Sequence, residues 1–164
     1  MNTSKFTNVP AHQASLTFRF NQPVNGNSNV LELGKLKLSS FNQNLLYSTT
    51  SGLPRFQNLA SSKLRGKGRI PTCLQAGIIS YSVKTTPVYL PDVKGVNGNF
   101  YPILPFAVRV GQHQRSDLGI HMDRNVPGSA GCLVITLEDH WKQFQLEMEK
   151  LRAKGIMEIP LMIF

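Results

Sequence analysis

The sequence predicts a mainly β single domain with one helix late in the chain and one last strand. Three observations carry this. Short segments of alternating apolar and polar residues recur between clusters of Gly, Pro, Asn and Ser. Only one stretch, near the C-terminus, spaces its apolar residues as a helix does. And 164 residues, 41% hydrophobic and 16% charged, suit one domain with one core rather than a disordered tail or a coiled coil. Thirteen Gly and ten Pro fit a loop-rich, strand-rich chain.

In chain order, residues 1–13 are polar and unpatterned and are expected to form an N-terminal arm, leaving 14–164 as the domain. Residues 16–20 alternate like a half-buried strand, and the turn formers of 21–27, Asn25-Gly26 above all, end it. Residues 30–33 and 36–38 flank Gly34-Lys35, which reads as two short strands around a tight turn or one strand bulged at Gly34. Residues 44–50 form the next strand and run into the turn 51–54. From Arg55 to Pro71 no pattern persists, so a long surface loop is expected. Strands follow at 78–83, 88–90 and 106–110, with a turn-rich stretch over 91–99, and 133–135 reads as a buried strand. Thr136 has the form of a helix N-cap, with Asp139 at the third helical position. Trp141, Phe144, Met148 and Leu151 then form one apolar face, and Gly155 is a natural stop. Residues 156–164 close the chain as a strand that Pro160 would confine to an edge.

The formal net charge is +9, from 18 basic and 9 acidic residues, which favours an anionic partner. The basic residues are scattered. Only 63–69 is dense, and it lacks the interleaved aromatics of a surface that stacks bases, so it reads as a solvated loop and nucleic acid is not the expected partner. No apolar run is long enough to span a bilayer as a helix. The first twenty residues lack the apolar core and cleavage site of a Sec signal, so the expected location is the cytoplasm, a virion, or an envelope reached by another route. Two cysteines, Cys73 and Cys132, do not make a disulfide framework. The spacings that would mark a zinc site are missing, and no cofactor is implied.

The informative stretch is 119–135. A thiol is only slightly ionised near neutral pH and gains its force as a nucleophile when a neighbouring imidazole takes the proton. His121 and Cys132 lie eleven positions apart, joined by a loop with Pro127 and Gly128 that can return one strand end beside another. Gly131 lets the backbone approach a ligand, and the N–H groups of Gly131 and Cys132 are the expected oxyanion donors. Ser129 adds a hydroxyl for the site or the substrate. Asp123 either orients His121 or caps the following turn. Cys73 has no His near it in sequence and reads as a core thiol.

His followed by a short loop and Ser-x-Gly-Cys resembles the active-site motif of the L,D-transpeptidase (YkuD-type) family, with His121, Ser129, Gly131 and Cys132 in the matching places. Residues 46–52 and the Gly-Arg-Ile-Pro of 68–71 extend the resemblance upstream, so that it covers most of the chain from about Leu31, with the specific part confined to the catalytic segment. The resemblance implies an L,D-transpeptidase-like β-sandwich or barrel whose Cys attacks a carbonyl of the peptidoglycan stem peptide, as in small members from phages and bacteria. The thioacyl enzyme would pass to an amine or to water, and in related enzymes a backbone carbonyl can orient the His. Three positions depart from the family's pattern. Val134 stands where an Arg is common, Met122 follows the His where Gly is common, and the loop from His to Cys is compact. With Val134 in that place, Arg124 is the first candidate to hold a substrate carboxylate, with Arg115 and Arg109 behind it. Other virion or secretion-apparatus proteins are further expected partners. The competing expectation is a binding or structural module of a phage tail that carries an idle site of this kind.

Overall fold

The computed structural model describes residues 14–24, 29–124 and 127–164; the expected N-terminal arm and the Asn25-Gly26 turn lie outside them. The strands are β1 (Ala14–Phe20), β2 (Gly34–Ser40), β3 (Gln43–Ser51), β4 (Tyr81–Lys84), β5 (Val88–Leu90), β6 (Gly98–Leu104), β7 (Ala107–Val110), β8 (His113–Ser116), β9 (Gly119–Met122), β10 (Leu133–Ile135) and β11 (Glu158–Ile163). The helices are a short α1 (Cys73–Ala76) and the long α2 (Glu138–Ala153).

Eight strands run in the order β4-β11-β1-β2-β3-β10-β9-β6, and β6 pairs back to β4, so the sheet closes into a barrel; β5 extends it beside β6. The pairs β1–β11 and β9–β10 are parallel and the other barrel pairs antiparallel. Closure removes the open edges on which sheets aggregate, and in a barrel of eight strands inward side chains fill the interior. Leu16, Phe18, Leu36, Leu38, Tyr47, Ile103, Ile120, Leu133, Ile159 and Leu161 do so here, all at 3% exposure or less. The apolar face of α2 packs onto this core: Phe144 meets Tyr47 and Tyr101 edge-on, at 5.5 Å and 5.3 Å between ring centroids. None of the helices described is long and apolar enough to cross a membrane.

The mainly β domain with one C-terminal-side helix and a last strand is therefore present, and several local expectations change. Gly34 is neither turn nor bulge but the first residue of β2, paired with Phe20, and residues 31–33 are not in a strand. A Cβ on Gly34 would lie 2.4 Å from the Arg19 carbonyl oxygen, so the close approach of β1 is what requires glycine. The 55–71 segment is a long connection without a strand, as expected, but only part of it lies at the surface. It contains a 3-10 turn over Leu59–Lys63 and buries Gln57, Ser62, Arg69 and Ile70. Thr72 caps α1 through a reciprocal box with Gln75. Thr136 is not the cap of α2; its hydroxyl bonds to Ser48, and Leu137 takes the N-cap position with no side-chain bond. Nor is β11 an edge: it lies between β1 and β4, with Pro160 opposite Ser82 at the β4 seam and residues 161–163 paired with β1.

Candidate active site

Strand periodicity places the two chemical residues together. In the parallel pair β9–β10, Leu133 stands opposite Ile120 and Val134 opposite His121. Ile120 and Leu133 face the barrel interior, so His121 and Val134 face outward. Cys132 immediately precedes β10, and continuing the alternation two residues back from Val134 puts it on that outer face with His121. Both line one cleft of about 630 Å³ on the outside of the barrel wall.

His121 is buried, and its Nδ1 lies 2.8 Å from the carbonyl oxygen of Met122. With the ring N–H donated there, Nε2 carries the lone pair. Burial holds the imidazole below its ordinary value of 6.5, outweighing the Met122 bond that raises it, so the ring is neutral at neutral pH. Phe100 stacks on this ring, 6.1 Å between centroids and 24° between planes. It can do so because residue 119 is glycine: a Cβ there would lie 2.1 Å from the Phe100 ring.

Cys132 is half-buried, and its thiol donates to the carbonyl oxygen of Asp117 at 3.7 Å. Burial pushes the thiol up to about 11; the Gly119 N–H and the Arg115 charge pull it down, and Asp117 pushes it further up. The resting pair is therefore a neutral imidazole and a protonated thiol. A thiolate–imidazolium pair would have to bear the desolvation of two charges in an apolar cleft. The arrangement suits proton transfer during attack, with His121 as general base, better than a preformed thiolate.

Ser129 is buried and is used by the loop itself. Its hydroxyl donates to the Cys132 carbonyl at 2.6 Å and accepts from the N–H groups of Gly131 at 3.3 Å and Gly52 at 3.4 Å. The Gly131 N–H, an expected oxyanion donor, is thus engaged, which leaves that part to the Cys132 N–H. Asp123 faces the Gly128 backbone across the turn, while His121 is oriented by Met122 instead. Its carboxyl is held above the ordinary carboxylate value, mainly by burial.

The three candidate clamps do not converge on the cleft. Arg124 is exposed and outside its lining, and Arg109 projects from the separate β7–β8 hairpin. Arg115 is 1% exposed, with its guanidinium bonded to the backbone carbonyls of Ser62, Gly68, Arg69 and Ala130. Val134 is fully buried between Thr50 and His121. Thr50 holds the Glu32 carbonyl at 2.6 Å, and Gln57 donates to Thr50 at 2.7 Å, so the chain is drawn over this face where an arginine would need room. The charged residues that do line the cleft are Lys94 and Asp117; its walls are otherwise mostly apolar, with Val88, Leu90, Val93, Phe100 and Phe106 on one side. Lys94, Asp117 and Phe100 were not among the sequence candidates. Gly119 immediately before Ile120-His121 was the one local sign that a large group would lie across the strand.

The chain matches no protein-family model, no curated protein and no solved structure. The dense basic segment of 63–69 is solvated at Lys63, Arg65 and Lys67, as expected of a basic loop, and Lys67 lies over the Phe56 ring at 4.6 Å; only Arg69 is buried, against the Phe20 ring. His113 is exposed on the β8 hairpin strand, and His140 accepts from the Ser48 N–H through Nδ1 at 2.9 Å, so neither joins His121. Cys73 is buried, accepting from the Ile163 N–H at 3.3 Å.

Proposed function

We propose that the protein is a cysteine acyltransferase or peptidase acting on the stem peptide of peptidoglycan through a thioacyl enzyme at Cys132. The observation that carries the chemistry is the shared outer face of β9 and β10, which sets a neutral, Nδ1-anchored imidazole and a thiol in one cleft. The substrate class follows from the resemblance of the His121-to-Cys132 segment to the L,D-transpeptidase motif.

In the reaction, Nε2 of His121 takes the thiol proton as sulfur attacks the carbonyl carbon, and the carbonyl oxygen becomes an oxyanion facing the Cys132 N–H. Collapse breaks the C–N bond, and the imidazolium returns its proton to the leaving amine. A second amine, or water, then attacks the thioester. His121 takes that proton and delivers it to sulfur as the C–S bond breaks.

A second reading, a binding module of a phage tail or similar assembly, is favoured by one observation: the thiol is protonated at rest and bonded to a backbone carbonyl. Incubating purified sacculi with the protein and with Cys132→Ala separates the two. New or trimmed muropeptides with the wild type alone support the enzyme. Identical muropeptide profiles from both proteins reject it.

A further inference from the structure

Arg115 is among the largest fully buried side chains of the protein, and its surroundings are unusual for a cation. A guanidinium is costly to remove from water unless its donors are satisfied and its charge is offset. The donors are satisfied by four backbone carbonyls, those of Ser62, Gly68, Arg69 and Ala130. The charge is not offset: among the described residues no carboxylate forms an ion pair with it. One of its four acceptors, Ala130, lies two residues before the nucleophile. The next residue, Gly131, has φ +129 and no room for a side chain, because a Cβ would fall 2.0 Å from Nη2 of Arg115. The glycine of the motif is thus the place where a buried cation passes beneath the nucleophile's turn.

We propose that Arg115 is the positioning residue of the nucleophile: its guanidinium fixes the 130–132 turn and supplies a standing positive charge that faces Cys132 before and while the thiol proton leaves. This rests on reading Cys132 as the nucleophile and adds how its negative charge is borne during attack. No other group around the sulfur holds a positive charge before the proton moves. Asp117 opposes it, His121 becomes charged only by taking that proton, and the Gly119 N–H contributes a dipole only. Tyr81, beside Arg115, is held protonated well above the ordinary tyrosine range, mainly by burial. Lys94 lies on an exposed part of the cleft wall, where salt screens it.

The test reads the thiol directly and needs no substrate. Alkylation of Cys132 by iodoacetamide is followed across pH by mass spectrometry in the wild type, Arg115→Lys and Arg115→Gln. A profile moved upward by one unit makes alkylation about tenfold slower on its rising limb. That shift is expected for Arg115→Gln, and a smaller one for Arg115→Lys, which keeps the charge. A folded Arg115→Gln whose profile superimposes on the wild type overturns the proposal. Should the Gln variant not fold, the wild-type profile is compared at about 0.1 M and about 1 M salt. A buried charge leaves it in place, whereas a shift of about half a unit or more assigns the effect to screened surface charges and overturns the proposal. If sacculi are untouched by the protein but alkylation still depends on Arg115, the substrate assignment fails and this one stands.

Discussion

The Phe100 ring stacks on His121 at 6.1 Å and lies across Gly119, the residue two positions before that histidine. The stack excludes water from one face of the imidazole and joins the wall of the cleft to its base. It also makes Gly119 a position that takes no side chain unless the ring moves. Gly119→Ala is expected to cost about 1–3 kcal/mol of stability by overpacking and to reduce activity by displacing the ring. Adding Phe100→Ala should recover part of that stability, because the clash then has no partner; denaturant melts of the two single variants and the double variant check this. Strictly additive costs would mean the ring is not the obstacle.

Removing the base should show in rate and in pH dependence. His121→Gln is expected to slow muropeptide turnover by about 10²–10⁴-fold. In the wild type the folded imidazole titrates below 6.5, so the active neutral form persists below that pH and the acid limb of the rate profile lies on its acidic side. The sign for stability agrees: between the two values the unfolded chain binds the extra proton, so acidification through this window destabilises the fold. A rate profile with its acid limb above 6.5 would contradict the buried, neutral histidine.

Ser129 is expected to matter through the loop and not through the substrate. Ser129→Ala leaves the Gly131 and Gly52 N–H groups without their acceptor and should cost about 1–3 kcal/mol, read from denaturant melts. Cys132 should then label with altered rate even without substrate. An unchanged melt with a raised KM would instead place the hydroxyl on the substrate.

High pH should unfold the barrel through its tyrosines. Burial pushes Tyr101 up to about 12 and holds Tyr47 and Tyr81 higher still, against an ordinary value of 10. Above about pH 10 the unfolded chain loses these protons while the folded chain keeps them, so stability falls as pH rises. Melting temperatures measured from pH 9 to pH 11.5 should fall, and in a Tyr89→Phe variant, which removes the exposed fourth tyrosine, phenolate absorbance should appear with unfolding and not before it.

Sequence revealed the fold where the buried residues are apolar. β1 buries alternate apolar residues and β10 three in succession, so their hydrophobic pattern is their structure, whereas β3 buries Thr49, Thr50 and Ser51 and leaves Leu46 exposed. It was silent on β8, whose residues read His-Gln-Arg-Ser: the inward one is Arg115, and a buried arginine has the same letters as a solvated one. It was silent on β6 because Gly98, Asn99 and Pro102 are turn formers by composition, though the strand runs through them. The 55–71 segment is held by side chains such as Gln57 and Arg115 bonding to backbone carbonyls, a form of order that leaves no period to find. In the site, the arrival of His121 and Cys132 at one cleft was legible from spacing. The Phe100 stack and the Arg115 support were not, because strand order and not chain order makes them neighbours.

Cys73 sits beneath the last strand, its sulfur accepting from the Ile163 N–H and its thiol 3.9 Å from the Leu161 carbonyl. A reagent reaches its sulfur fully when α1 and β11 part, so it is an internal clock for opening of that seam. Cys132 opens onto the cleft and reports the site. One time course of thiol modification, resolved by peptide, therefore follows two clocks in the same molecule: how often the wall opens, and how readily the cleft gives up a proton.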